Sequence, residues 1–406
     1  MSSSAAPLLS LCLATYNRER YLDRYLTHHI EAFDAAGIDY EIVVSDNCST
    51  DDTAEILSRY AEGRPRVRLI RQDRNLGAHP NILATLREAR GEVVVSISDD
   101  DLAVTDQLIA YARRMHDDPS LVMIQAPWFL MDETKGNAIT GKFYDFEGEQ
   151  RFSAGQYGNC LAFVIQNHVF PECWVVRRSA LLSIAGPVPR FAYSYFFMLA
   201  HALSRGDVLF SPLPHIVATS VARGVNVHVG NAEAMEAWDT YRGGLELMAS
   251  YARQFNPGAL PDAAGVGAAI SLFVCERMAV AAKLQTHARN WSNAYQLLRR
   301  LLAYEYEPDV GMDRDDIARL AAVETALVEC AERGAEEIVV ADSIPAHVLD
   351  RMNAIPGAAF VRADSLGSHH VKRAYCGIGE PDPSLEVDFS CDIVPAMDRF
   401  PTFPAG

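Results

Sequence analysis

The chain has 406 residues, 49% hydrophobic and 22% charged, as expected for a soluble globular protein with room for two domains, or one large domain with an appendage. Its 53 acidic residues against 36 basic ones give a formal net charge of −17. That balance argues against nucleic acid or an anionic membrane as a partner held by a general basic surface, and leaves room for a local phosphate pocket. The eight cysteines are scattered without a C-x-x-C pair, so neither a zinc site nor a disulfide framework is expected, and a reducing cytoplasm is the expected compartment.

The opening stretch "MSSSAAPLLSLCLATYN" lacks a basic n-region and reads as a first strand, not a signal peptide. "LLSLCLA" (8–14) is a continuous apolar run, as in a strand buried on both faces of a parallel sheet. "RERYLDRYLTHHI" then places Tyr21, Leu22, Tyr25 and Leu26 on one helical face. "YEIVVSD" (40–46) is a second strand, and "STDDTAEILSRYA" a helix that Ser49 can cap. "VRLIR" (67–71), the helix "AHPNILATLREAR" and the strand "GEVVVSIS" (91–98) follow. This β-α-β-α-β-α-β series predicts an α/β fold with a doubly wound, mainly parallel sheet.

Beyond residue 120, "SLVMIQAPWFL" reads as a strand and "FPECWVVRRSALLSIAG" as a strand running into a helix. "YFFMLAHALSRGD" reads as a helix stopped by Gly206, and "VLFSPLPHIVAT" as one more strand. Residues 232–305 read mostly as helix. In that region "AAGVGAAISLFVCERMAV", interrupted by Glu276 and Arg277, is expected to be a buried helix too short to span a membrane. From 314 a helix, the strand "EEIVVADS", a short helix and the strand "AAFVRADS" suggest a small α/β appendage. The tail from 377, rich in Gly and Pro, reads as irregular. The expected organisation is therefore a domain over 1–230 (halves 1–118 and 119–230), a helical extension over 231–312, and the appendage with its tail over 313–406.

Ligands of doubly wound sheets bind at the carboxyl ends of the strands. Here those ends carry Thr15-Tyr16-Asn17, Ser45-Asp46-Asn47, Arg71-Gln72-Asp73 and Asp99-Asp100-Asp101. Helix capping accounts for one aspartate of the last set, not three, because adjacent carboxylates repel unless a cation lies between them. Hard oxygen ligands of this kind suit Mg²⁺ or Mn²⁺ bound together with a substrate diphosphate.

Four ordered motifs, "LSLCLATYNRERYL", "YEIVVSDNCSTDDT", "RLIRQDRNLGAHPNI" and "GEVVVSISDDDL", make the N-terminal hundred residues resemble a family-two glycosyltransferase of the GT-A fold. The resemblance fades towards residue 230. It implies a nucleotide-diphospho-sugar donor. Thr15, Tyr16 and Asn17 from the first motif and Asn75 from the third would line the donor, and Asp46 would bond the base. Asp99 would face the ribose, with Asp100 beside it. Asp101, with Asp99, would hold the metal, and His228 in "VARGVNVHVG" would complete its sphere.

The resemblance breaks at the acceptor helix. Inverting members usually carry a Glu-Asp pair before it, one of whose acids deprotonates the acceptor hydroxyl. Here Ser194 and Tyr195 stand in those places, and no acid lies between Gly186 and Arg205. Three readings remain: a base from elsewhere, with Glu172 in "HVFPECW" first and His168 next; an acceptor acidic enough to need none; or a relative that binds without catalysis. Glu172 fits equally a strand-edge surface acid, and His168 a core histidine. The leading expectation is an inverting glycosyltransferase with a soluble small-molecule or glycan acceptor, and with homo-oligomerisation through the C-terminal region an open option. The competing functions are a sugar nucleotidyltransferase, which would need a Gly-rich basic loop after the first strand, and a non-catalytic nucleotide-sugar-binding protein.

Overall fold

The first two strands and the two that flank them form where the apolar runs place them. In the computed structural model, which describes residues 6–184, 191–222, 231–236, 238–342, 344, 346, 348, 359–362, 371–377, 383 and 387–403, the order begins β1 (Leu9–Thr15), α1 (Glu19–Ala35), β2 (Tyr40–Asp46), α2 (Thr53–Ala61), β3 (Val67–Arg71), α3 (Ala78–Glu88) and β4 (Val93–Ser96). It continues with β5 (Leu102–Ala103), α4 (Thr105–Asp117), β6 (Leu121–Gln125), β7 (Phe129–Asp132), β8 (Ala138–Lys142), β9 (Gln150–Phe152), α5 (Tyr157–Gln166), β10 (Trp174–Arg177), α6 (Arg178–Ile184), α7 (Ser194–Leu203), β11 (Asp207–Phe210) and β12 (Ile216–Val221). β2 is buried along its whole length, Glu41 and Asp46 included, and β1 at all but one position, so both faces of these strands are covered.

The main sheet has the order β3-β2-β1-β4-β10-β6-β11-β9. β1 to β4 are mutually parallel, and β10 enters antiparallel between β4 and β6. The expected doubly wound, mainly parallel α/β plan is therefore what the chain forms. Arg177 locks the inverted strand in place: its guanidinium meets Glu92 at 2.7 Å and the carbonyls of Leu121 and Asp118 at 3.2 and 3.1 Å.

Two single-strand expectations are corrected. "SLVMIQAPWFL" holds β6 in the main sheet and β7 in a second sheet of order β5-β12-β7-β8. "VLFSPLPHIVAT" likewise divides into β11 and β12, one in each sheet. Pro214 lacks the N–H that an interior ladder position needs, and Pro212 and Pro214 together fix two φ angles, so the run breaks between the two strands.

The chain divides into two compact units, 1–230 with 240–273, and 231–239 with 274–406. The segment 231–312 is thus shared between them. The second unit has its own all-parallel sheet of order β14-β13-β15-β16, formed by β13 (Glu337–Val340), β14 (Ala359–Val361), β15 (Arg373–Gly377) and β16 (Phe389–Asp392). The tail expected to be irregular therefore supplies a strand and the helix Ile393–Arg399. Short runs such as "FSCD" become strands only because a neighbour is already present to pair with.

The apolar segment after 262 is longer than its sequence suggested. It lies in a helix of 25 residues, Ala263–His287, with mean hydropathy 1.5 in its most apolar window, enough by length and composition to cross a membrane. Along it Ile270, Phe273, Val274, Met278 and Ala281 are buried while Leu272 and Val280 are exposed.

Gly91 lets β4 enter the sheet. A Cβ there would sit 2.6 Å from the backbone nitrogen of Ser10 and 2.9 Å from the carbonyl carbon of Leu9. Backbone cannot yield as a flexible side chain can, so Gly91→Ala is expected to cost about 1–3 kcal/mol, as overpacking does. Chemical denaturation measures this; an unchanged midpoint would show that the β1–β4 seam tolerates the shift.

Candidate active site

The register of the sheet sets the site. Thr15 pairs with Asp46, and Asp46 with Arg71. Cys12 pairs with Ser96, and an equal number of steps beyond that pair brings Thr15 level with Asp99. The Thr15 hydroxyl donates to Asp99 Oδ2 at 2.7 Å. Arg18, two residues past the strand turn, lies 3.3 Å from Asp99 Oδ1 and 3.8 Å from Asp100 Oδ2. Asp101 turns the other way: its Oδ1 accepts the Thr219 amide at 2.8 Å, while the Thr219 hydroxyl donates to the Asp100 carbonyl at 2.6 Å.

These carboxylates are held against their own chemistry. Burial pushes the Asp99 carboxyl up to about 6, against the pull of the Thr15 hydroxyl and the Arg18 guanidinium. Desolvation and the neighbouring Asp100 push the half-buried Asp101 further above the usual carboxylate range, and the Thr219 amide offsets only part of this.

Two cavities meet here. The first, of about 490 Å³, is walled by Thr15, Tyr16, Arg18, Asn47, Asn75, Asn81, Asp99 and Asp100 among others. The second, of about 190 Å³, contains Asp101, Glu172, Ser194, Tyr195, Trp128 and Trp174 in its wall. Ile82, Ser96, Ile97 and Ser98 line both.

Of the residues singled out from sequence, Thr15, Tyr16, Asn75, Asp99 and Asp100 line the first cavity, and Asp101 and Glu172 the second. Asn17 lines neither. It sits at φ 52°, a conformation asparagine tolerates better than most residues, and its side-chain oxygen accepts the Thr50 amide at 2.8 Å. Its visible role is to tie the β1 turn to the β2 turn. Asp46 also lies behind the wall: it is 1% exposed, its Oδ1 accepts the Ser49 amide at 3.0 Å, and among the described residues its Oδ2 meets Arg71 Nε at 3.8 Å. His168, at the end of α5 with φ 49°, lines neither cavity; its ring stacks on Phe273 at 5.4 Å. His228 lies outside the described residues.

Sequence reading put Asn47 at a strand end without giving it a role, and missed Arg18, Asn81 and Tyr193. Asn81 is 2% exposed, and its amide donates to the carbonyls of Ser45 and Thr15 at 2.9 and 3.3 Å. Its signal was a polar residue one helical turn before Thr85 on the buried face of α3. Asn47 binds Asn75 at 2.9 Å and so fixes the loop before α3. Tyr193, just before α7, donates its hydroxyl to Glu172 Oε1; nothing local in the sequence indicates that pair.

No group of three or more His, Cys, Asp or Glu side chains is set to hold a metal among the described residues. Yet Asp99 and Asp101 supply hard oxygen donors whose raised proton affinity marks negative charge short of a counter-ion, and Arg18 offsets it only from a half-exposed position. Such carboxylates fit a cation that takes its remaining ligands from water and phosphate.

The model of glycosyl transferase family 2 matches residues 10–184, less than half of the chain. An uncharacterized protein of Mycobacterium tuberculosis is 36% identical over 179 residues, 44% of this chain and 54% of its own. The abequosyltransferase of Salmonella typhimurium is 34% identical over 102 residues, 25% of this chain and 30% of its own. The chain thus spans about half or less of the length of these relatives. Among solved structures, S. aureus TarS aligns with a TM-score of 0.49 at 16% identity, covering 80% of this chain and 52% of that one. The family-2 match runs from β1 to the end of α6, so it takes in every strand of the first cavity and Glu172 of the second.

A carboxyl whose pKa is raised on folding binds protons that the unfolded chain has released, so stability falls as pH rises from the ordinary value of 3.8 through the folded one. Without ligand, the melting temperature should therefore decline from about pH 4 through 6 for Asp99, and on into the neutral range for Asp101. Asp101→Asn keeps an oxygen for the Thr219 amide and removes the charge. It is expected to raise stability at pH 8 by on the order of 1 kcal/mol and to flatten the decline. Calorimetry across pH decides: equal melting temperatures at pH 8 would refute the unbalanced charge.

Proposed function

We propose that the N-terminal unit is a glycosyltransferase that moves a sugar from a nucleoside-diphosphate donor to a hydroxyl acceptor, with inversion. One observation carries the reading: two cavities share the strand-end segment Ser96–Ser98, and one is walled by Asp99 and Asp100, the other by Asp101 and Glu172. The family-2 match over residues 10–184 supports the donor class.

In this reading the nucleotide occupies the larger cavity. Tyr16, 40% exposed, offers its ring to the base, and Asn75 and Thr15 line the remainder. Asp46 acts through the Ser49 turn and reaches the base only if that turn opens. Asp99 and Asp101 would hold Mg²⁺ or Mn²⁺, which when bound neutralises charge on the departing diphosphate. The acceptor oxygen attacks the anomeric carbon as that carbon's bond to the diphosphate oxygen breaks. The nucleoside diphosphate leaves with the bonding electron pair, and the acceptor's proton passes to Glu172. Single displacement inverts the anomeric centre.

Glu172 is the favoured base because it lines the second cavity, whereas His168 lines neither. Tyr193 positions it. This pairing supplies a carboxylate from the loop before β10, where the acceptor helix α7 carries Ser194 and Tyr195 in place of acids.

The test is nucleoside-diphosphate release from a panel of UDP-, GDP- and dTDP-sugars with Mn²⁺. Release is expected with at least one donor. Binding without release, to any acceptor or water, would make the protein a nucleotide-sugar binder instead. Once a donor is found, Glu172→Gln should lower kcat by about 10²–10⁴-fold. Tyr193→Phe removes a hydrogen bond to the charged form of the base. The acid limb of the kcat/KM profile should therefore move to higher pH, by on the order of one unit. A Tyr193→Phe enzyme that is slower at every pH with an unmoved limb would reduce Tyr193 to a structural role.

A further inference from the structure

The first cavity holds one basic side chain, and two partners compete for it. Among the described residues that line it, Arg18 alone is basic, and Asp99 and Asp100 are acidic. The next two arginines, Arg20 and Arg24 of α1, are turned to Glu133 at 3.0 and 3.6 Å. Arg18 Nε stands 3.3 Å from Asp99 Oδ1, and its Nη2 3.8 Å from Asp100 Oδ2. The other oxygen of Asp99 accepts the Thr15 hydroxyl at 2.7 Å. In this arrangement the Arg18 guanidinium is the positive charge set against the two carboxylates of the cavity wall.

Asp99 is also one of the carboxylates that would hold a divalent cation. A cation on it would meet the like charge of the guanidinium at close range. A diphosphate in the cavity would meet the opposite difficulty: two carboxylates, and a guanidinium already engaged by them. One movement resolves both. If Arg18 turns from the carboxylates to the phosphates, it offers them a planar fork of donors and leaves Asp99 to the cation. The backbone need not move. The Arg18 amide donates to Thr53 Oγ1 at 2.9 Å and the Arg18 carbonyl accepts the Tyr21 amide at 2.9 Å, while the side chain is 42% exposed. An ion pair made by so exposed a group is weak, so the exchange costs little.

We infer that Arg18 holds the divalent cation off Asp99 until a nucleoside diphosphate arrives, and then passes from the carboxylates to the diphosphate. The inference rests on the glycosyltransferase reading above and adds a control on its donor site. Arg18 keeps the cation weakly bound by itself. The diphosphate draws Arg18 away and so strengthens the cation, and by linkage the cation strengthens the diphosphate by the same factor. Departure of the nucleoside diphosphate returns Arg18 to Asp99, which helps to expel the cation.

The experiment uses the full chain and two kinds of probe. Mn²⁺ alone is followed by the paramagnetic resonance signal of the free ion; UDP, GDP and dTDP are followed by calorimetry in EDTA. Arg18→Gln removes the charge and keeps both backbone hydrogen bonds. It should bind Mn²⁺ alone about three- to tenfold more tightly than the wild type, and the best-bound nucleoside diphosphate more weakly. A merely structural role for Arg18 would weaken both or change neither. Adding Asp99→Asn to Arg18→Gln should abolish the gain in Mn²⁺ affinity. Mn²⁺ binding that Arg18→Gln leaves unchanged or weakens overturns the inference, and so does a failure of both proteins to bind Mn²⁺. A gain that survives Asp99→Asn overturns it as well, because the ion then sits elsewhere. So does a nucleoside diphosphate bound equally by wild type and Arg18→Gln. If none of the three nucleotides binds, with or without Mn²⁺, while the gain is seen, the donor reading fails and the competition at Asp99 stands.

Discussion

The constraint on which this unit depends is the concentration of carboxylate charge at the ends of parallel strands. Asp99, Asp100 and Asp101 come just beyond β4, whose three valines are buried, so their charge is delivered to a rim that burial makes unfavourable for it. The molecule meets this with partial measures. The Thr15 hydroxyl takes one oxygen of Asp99, Arg18 leans on Asp99 and Asp100 from a half-exposed position, and the Thr219 amide takes one oxygen of Asp101. None of these cancels the desolvation of the buried groups, and the residual proton affinity records what is left. A stable fold could remove such charge by substitution, since unpaired buried charge costs stability and gives nothing in return. Its retention makes sense where a cationic or metal-bound ligand supplies the balance.

Around that rim the two sheets divide the labour. The parallel half, β1 to β4, carries the polar cavity and its asparagine scaffold: Asn17, Asn47, Asn75 and Asn81 each bond backbone or another amide, so the loops are held by side chains. The second cavity draws its wall from both halves, from α3 and the segment Ser96–Ser98 on one side and from α7, β12 and the residues around β10 on the other. The antiparallel entry of β10 joins them. It puts Glu172, on the residue pair before the strand, at the edge of the second cavity, and Arg177 at its far end fastens the strand to Glu92 and to the carbonyls of Leu121 and Asp118.

The buried histidines show what does not count as a site. His29 bridges the Ala103 amide and the Tyr25 carbonyl, and burial holds its pKa down to about 3. His215, fully buried beside Tyr111, is held equally low. Both stay neutral and serve as packed aromatic rings with polar edges. His168, stacked on Phe273, shares that aromatic role, whereas Glu172 lines a cavity and meets a hydroxyl. Burial alone therefore separates the candidate base from the core histidines less well than cavity placement does.

The local sequence determined the parallel half. Mainly apolar runs of strand length, amphipathic helices between them and polar residues after each strand are sufficient to specify β1 to β4 and their common rim, because each βα step is built from neighbours in the chain. The strand-end placement of Thr15, Asp99 and Asp101 was legible for that reason, and so was the resemblance to family-2 glycosyltransferases over residues 10–184. Only the tertiary structure decided the rest. Two apparent strands split between sheets because prolines and sheet partners override apolar length. The second unit gained strands from four-residue runs that pair only with neighbours already formed. Asn81 became a buried bracket by facing two strand ends at once, and Tyr193 came to Glu172 from another part of the chain. Contacts of that kind depend on where distant backbones meet, and no periodicity along the chain encodes them.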